Sequence, residues 1–189
     1  MSYAATAERI ARTAAEHGET VALIAARATA SGLDALVVAP IAAAARGLGA
    51  EPPDARARVA SYPDAKFFLA DVADVTVDLM TQERLAVATG SAAQQALRAA
   101  HAESAAAMAR VPPDAAGASA AASKAADAQA AITTLAAVWP PLFAACSALD
   151  AVPAVYQDTY EGALRTVRSG TCLPRDGRFV VPERPRAVS

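Results

Sequence analysis

Several residue types that carry function elsewhere are scarce in this chain of 189 residues: two lysines (Lys66 and Lys124), two histidines and two cysteines, with aromatics at 5%. Each scarcity excludes something. Two cysteines, Cys146 and Cys172, cannot build a disulfide framework, and they read as reduced thiols of a cytosolic-type protein. The formal net charge of −2 gives no general argument for nucleic-acid binding. The opening MSYAATAERIAR has no apolar signal core and carries Glu8 and Arg9 early, so no secretory signal is expected. The most apolar run, Ala131–Leu149, is expected to be cut in two by Pro140 and Pro141, which leaves no uninterrupted run of the ~18 residues a membrane span needs. These points predict a soluble protein of the cytoplasm, or of a particle assembled there.

Motifs of chemistry are scarce as well. The sequence has no glycine-rich phosphate loop, no Gly-x-Ser-x-Gly elbow and no zinc-spaced Cys/His cluster. The Glu-x-x-His pairs of di-iron bundles are missing, because Ala14 precedes His17 and Arg98 precedes His101 at that offset. Neither cysteine has a neighbouring histidine or basic pair to activate it. The expectation is a protein with no catalytic residues, no metal and no cofactor.

Alanine is what the chain has in abundance, 56 residues laid down in long runs. Alanine loses no side-chain entropy in a helix and buries no polar group, and it is depleted in strands. Leu, Ile, Val and Phe together number 37, just under one-fifth of the chain. Disorder would also need high net charge, so the composition predicts an all-α helical bundle with a thin core. A thin core leaves stability for partners or self-association to supply. The excess of arginine over lysine, with the alanine load, fits a GC-rich bacterial genome or its phages.

Tyr3, Ala7, Ile10, Ala14, His17, Val21, Ile24 and Ala28 alternate in steps of four and three, the seam of a coiled coil. They predict a first helix capped by Ser2 and stopped at Ser31-Gly32. Residues 33–62 are broken: Asp34 can cap a turn, Pro40 can sit in the first turn of a helix towards Arg46, and Gly47 and Gly49 end it. Leu36-Val37-Val38 is the one strand-like alternative. A long helix is predicted from Pro63-Asp64 to about Arg110, with Ser61 and Asp64 as a capping box and Gly90-Ser91 as a candidate break. Pro112-Pro113 ends it, placing a hairpin tip near 111–114. The next helix should run from Asp114 to about Val138, followed by shorter helices at 141–150 and 153–168. Between Gly90 and Ala131 only Leu97, Met108 and Val111 are large apolar residues, which predicts a long antiparallel hairpin that protrudes or packs flush through alanine. Residues 1–170 thus form a helical domain, and 171–189 an extended arm with Pro174, Pro182 and Pro185.

Candidate site residues follow from these surfaces. Tyr3, Ile10, His17, Val21 and Ile24 on the heptad stripe could meet a partner helix. On the arm, Phe179-Val180-Val181 flanked by Arg175, Arg178, Arg184 and Arg186 could lie in a groove or extend a sheet edge. His17 and His101 could together ligate haem. Asp71, Asp74 and Asp78 share one helical face, as a solvated stripe, a cation site or a landing for arginines. The alanine-rich helical hairpins resemble small helical substrates of type VII secretion in actinobacteria, a resemblance that would imply a turn glycine after the tryptophan and a Tyr-x-x-x-Asp/Glu near the C-terminus. Here Trp139 precedes Pro140-Pro141, and Tyr156 and Glu161 are one residue too far apart, so the sequence is assigned to no family.

The sequence thus points to a non-enzymatic structural or adaptor subunit of a bacterial or phage assembly, oligomeric or bound to other proteins. The alternatives are a bundle holding a small apolar ligand near His17, Trp139, Tyr156 and Tyr160, and an amphipathic protein of a granule or membrane surface.

Overall fold

A computed structural model describes residues 2–53, 59 and 65–153. It is all-α: α1 spans Tyr3–Ala30, α2 Ala35–Gly47, α3 Ala65–Met108 and α4 Ala115–Asp150. The strand-like Leu36-Val37-Val38 is helical, held in α2 by Asp34, whose carboxylate accepts from the Leu36 amide at 2.8 Å. Pro40 sits inside α2, not in its first turn. The capping box at Ser61 and Asp64, the helix expected at 153–168 apart from its first residue, and the arm at 171–189 lie outside the described residues.

Helix ends obey local chemistry. After α1, Leu33 donates to the Ala28 carbonyl and Gly32 to Thr29, with Gly32 at φ 80°. After α2, Ala50 donates to Ala45 and Gly49 to Arg46, with Gly49 at φ 88°. Both are the same left-handed stop, in which a glycine turns back two amides onto orphan carbonyls. Between α3 and α4, the Asp114 amide donates to Ala107 at 3.0 Å, and the Asp114 carboxylate accepts from Gly117 at 2.8 Å.

α3 runs unbroken through Gly90-Ser91 for 44 residues, roughly 66 Å at 1.5 Å per residue. More unexpectedly, α4 passes straight through Pro140-Pro141 to Asp150, so the helices expected on either side are one. Two prolines withhold amides from the carbonyls of residues 136 and 137, and a proline inside a helix costs about 3 kcal/mol. Ala136 and Ala137 are exposed, so water can serve those carbonyls. Leu135, Leu142 and Leu149, seven residues apart and all buried, hold the helix in phase on both sides of the prolines.

The chain divides into two compact units. The first comprises residues 1–17 and 78–143. There α3 and α4 form an antiparallel hairpin: Gly90 faces Leu135 and Glu103 pairs with Lys124, and the residue numbers sum to 225 and 227. The start of α1 lies against the hairpin, and the shared core is Ala7, Ile10, Ala86, Ala93, Ala128, Ala131 and Leu135. Five of those seven are alanine, which sets how close the backbones must come. Towards the tip only Ala100, Ala107 and Ala121 are buried, and Met108 and Val111 are exposed.

The second unit comprises residues 18–77 and 144–189. It holds most of the large buried side chains, among them Val21, Ile24, Ile41, Phe68, Val72, Leu149 and Val152. Gly18, mid-helix in α1, is explained here. A Cβ at this position would sit 3.0 Å from Leu48 Cβ and 3.2 Å from the Leu48 carbonyl, so the end of α2 packs directly on the α1 backbone.

The two mid-helix glycines therefore have opposite expectations. At Gly90 a Cβ would meet only Leu135 Cδ1 at 3.7 Å, an ordinary contact. Gly90→Ala should raise stability by up to about 1 kcal/mol through helix propensity. Gly18→Val should lower it by about 1–3 kcal/mol through overpacking. Urea unfolding followed by circular dichroism reads both, and a Gly18→Val protein as stable as the parent would remove Leu48 from the α1 backbone.

Candidate interaction surface

The start of α1 is fastened to α4 by a single carboxylate. Asp127 Oδ2 accepts from the Tyr3 amide at 2.8 Å, Oδ1 accepts from the Ala4 amide at 3.3 Å, and the Ser2 hydroxyl donates to the same group. Ser2 is also the local cap, since its Oγ accepts from the Ala5 amide at 3.2 Å. A helix N-terminus presents unpaired amides and a partial positive charge. Asp127 answers both from another helix. Hydrogen bonds from the Ser2 hydroxyl, and then from the Tyr3 and Ala4 amides, hold its carboxyl below the ordinary 3.8, against the opposing effect of burial.

Sequence reasoning found Ser2 and missed Asp127. The available signal was positional: Asp127 is the only acid of α4 before Asp150, set in an alanine run beside the buried Ala128. Two shallow grooves flank Tyr3. One, about 390 Å³, is lined by Ser2, Thr6, Ala88, Thr89 and Ala92; the other, about 250 Å³, by Ala96, Ala99, Ala100, Glu103, Lys124 and Asp127. Tyr3 lines both, and the wall of alanine methyls offers little to orient a ligand.

The remaining candidates fall into distinct places. Ile10, Val21 and Ile24 are 0–1% exposed within the chain, so they serve its own core and are closed to a partner. Six of the eight heptad positions are buried in this way; Tyr3 and His17 are half-buried. The physical reason is that the other seam-forming helices belong to the same chain. Arg175, Arg178, Phe179 and Val181, like Tyr156, Tyr160 and Cys172, lie outside the described residues. Cys146 is buried.

Tyr3 sits beside Ala96–Ala100, with α1 running away from the tip, so His17 is 14 residues, roughly 20 Å, from the level of His101. That separation removes a shared haem. Asp71 approaches Arg27 at 4.0 Å, and Asp74 and Asp78 are exposed. Among the described residues no group of three or more His, Cys, Asp or Glu is placed to hold a metal ion.

The most distinctive surface is on α4. Because the prolines do not break it, residues 128–149 form 22 consecutive helical positions without a charge. By length and composition this helix could cross a membrane, with a mean hydropathy of 1.6 over its most apolar 18-residue window and 28% of that window buried. This overturns the expectation that the prolines cut the run. A core helix passes the same test, and α4 supplies Ala128, Ala131, Leu135, Leu142 and Leu149 to the interior. Its other side is open: Trp139 is 40% and Phe143 49% exposed, and their rings stack at 5.4 Å.

Comparison with known protein families, with curated proteins and with solved structures finds no match.

The Asp127 clasp carries a pH signature. Its depressed pKa means that its stabilisation is complete above the ordinary 3.8 and lost as pH falls through the lower folded value. Asp127→Ala should lose about 1 kcal/mol near pH 7, the size of an N-cap substitution. The gap between variant and parent should narrow on acidification from pH 7 to about pH 2. Unfolding curves at the two pH values check this, and a gap that does not change with pH would rule out a clasp made by the charge.

Proposed function

We propose that the chain is a non-enzymatic structural or adaptor subunit of a larger protein assembly, bacterial or phage, working through helix–helix contacts. One observation carries this reading: the exposed side of α4 in the first unit, on a stretch uncharged from Ala128 to Phe143, bears a stacked Trp139–Phe143 pair. Solvated helix faces normally carry charge, and interface cores are depleted of it and enriched in aromatics. The helices around it supply the contrast. The exposed side of α1 carries Glu8, Arg9, Arg12 and Glu16, the pattern of a surface that stays in water. In the same reading the arginine-flanked arm around Phe179 and Val181 is a second docking element. The arginine bias and alanine load support the bacterial or phage origin.

Tagged full-length protein purified gently from its source and weighed by native mass spectrometry is expected in a complex of fixed composition. Replacing Trp139 and Phe143 together by serine should release it from that complex with its helicity retained. A chain recovered only as a free monomer would overturn the proposal.

A further inference from the structure

Alanine methyls cannot orient a ligand, but the larger groove beside Tyr3 holds one residue that can. Thr89 is only 8% exposed, and with Ser31 it makes up the buried polar residues among those described. Among the described residues its hydroxyl has no hydrogen-bond partner. Four threonines show the usual outlet within a helix. Thr6, Thr29, Thr76 and Thr133 each donate to the carbonyl four residues back, at 3.1, 2.9, 2.7 and 3.0 Å. Thr89 does not. No side-chain oxygen among the described residues is both sealed from solvent and unpaired, so the Thr89 hydroxyl must open outward. Its opening is the groove of about 390 Å³ between α1 and α3, which Thr89 lines with Ser2, Tyr3, Thr6, Ala88 and Ala92.

A buried, unpaired hydroxyl in a methyl-walled recess selects its ligand by chemistry. The volume lies at the small end of the ~300–1,000 Å³ of small-molecule sites. At the ~30 Å³ that a water occupies in the liquid, it takes about a dozen non-hydrogen atoms. Thr89 can donate or accept, whereas Thr6 already gives its proton to the Ser2 carbonyl and can only accept. Ser2 is engaged on both sides, donating to Asp127 and accepting from the Ala5 amide at 3.2 Å. No charged side chain lines the groove, so an ionic headgroup would lose its water with nothing to replace it. Asp127, hydrogen-bonded to Ser2, makes an anion less welcome still. Depth argues against a protein partner. Ala88 is exposed and Ala92 half-buried, so Thr89 lies on the floor between them. A small molecule reaches that floor; a flat helix face does not.

We propose that the groove between α1 and α3 binds a small neutral alcohol, its hydroxyl paired with Thr89 and its apolar body against Tyr3, Ala88 and Ala92. The site is separate from the α4 surface and does not rest on the assembly reading.

Titration of the isotope-labelled full chain with benzyl alcohol, followed by amide chemical shifts, tests it. Saturable shifts confined to residues around Ser2–Thr6 and Ala88–Ala92 are expected, with a Kd on the order of 1 mM for so small a molecule. Thr89→Val keeps the side-chain shape and removes the hydroxyl. It should weaken benzyl alcohol about three- to tenfold, the loss of one neutral hydrogen bond, and leave toluene within about twofold. Ala92→Leu, which fills the groove, should abolish binding of both, with circular dichroism reporting that helicity is kept. Because the hydroxyl has no partner in the chain, Thr89→Val should unfold at no lower a urea concentration than the parent. Shifts that do not saturate or that scatter over the chain would overturn the proposal. So would benzyl alcohol bound equally by parent and Thr89→Val, or benzoate bound as tightly as benzyl alcohol. Binding that survives Ala92→Leu, or a lower urea midpoint for Thr89→Val, would overturn it as well.

Discussion

Close packing through alanine is the constraint on which the first unit depends. A buried methylene contributes roughly 0.8 kcal/mol and a full leucine about 2–3 kcal/mol. A core cluster of five alanines, one isoleucine and one leucine therefore gains little per contact. It holds only if the helices come near enough for every methyl to touch a backbone. Gly90 against Leu135 and the unbroken heptad spacing of α3 belong to that arrangement. On α3 the buried positions Phe68, Val72, Val75, Leu79, Ala86, Thr89, Ala93, Ala100 and Ala107 keep one seven-residue phase along the helix. A seam that cannot draw much from area needs its ends fixed in another way. The Asp127 clasp does this at the start of α1, Lys124–Glu103 along the hairpin and Asp114 at the tip.

The same constraint decides what could be read from the sequence. The α1 stripe was legible because Ile10, Val21 and Ile24 stand out against smaller residues. The continuation of the seam on α3 was not, because beyond Leu79 its positions are filled by Ala86, Thr89, Ala93 and Ala100, which look like any other part of an alanine run. Helix ends were legible wherever glycine or an acid made them, as at Gly32, Gly49 and Asp34. Asp127 was hidden because its partners are amides 123 and 124 residues away, and only the fold brings them together.

Pro140-Pro141 shows the limit of local rules. Read alone, the pair ends a helix. In the fold, Leu142 and Leu149 continue the burial begun at Leu135, and tertiary packing outweighs the local cost. The consequence reaches beyond secondary structure. A broken α4 would have divided its uncharged run into two short pieces; a continuous one keeps that run on one helix.

That face and the clasp are two answers to the same shortage. Where α1 covers the hairpin, alanine methyls are satisfied inside the chain and a carboxylate holds the cover in place. Where no described residue of the unit covers it, the hairpin keeps its uncharged character. Exposed helix faces elsewhere in the chain carry charge freely, as Glu8, Arg9, Arg12 and Glu16 do on α1, so helix formation does not forbid it. Nor does the interior require it, since Gln129, Ala136 and Phe143 do not point there. Withholding charge from α3 between Arg84 and Arg98 and from α4 between Ala128 and Phe143 is therefore a feature of the surface and not a demand of the core. A thin core and an uncharged flank are thus two results of the same alanine-rich composition.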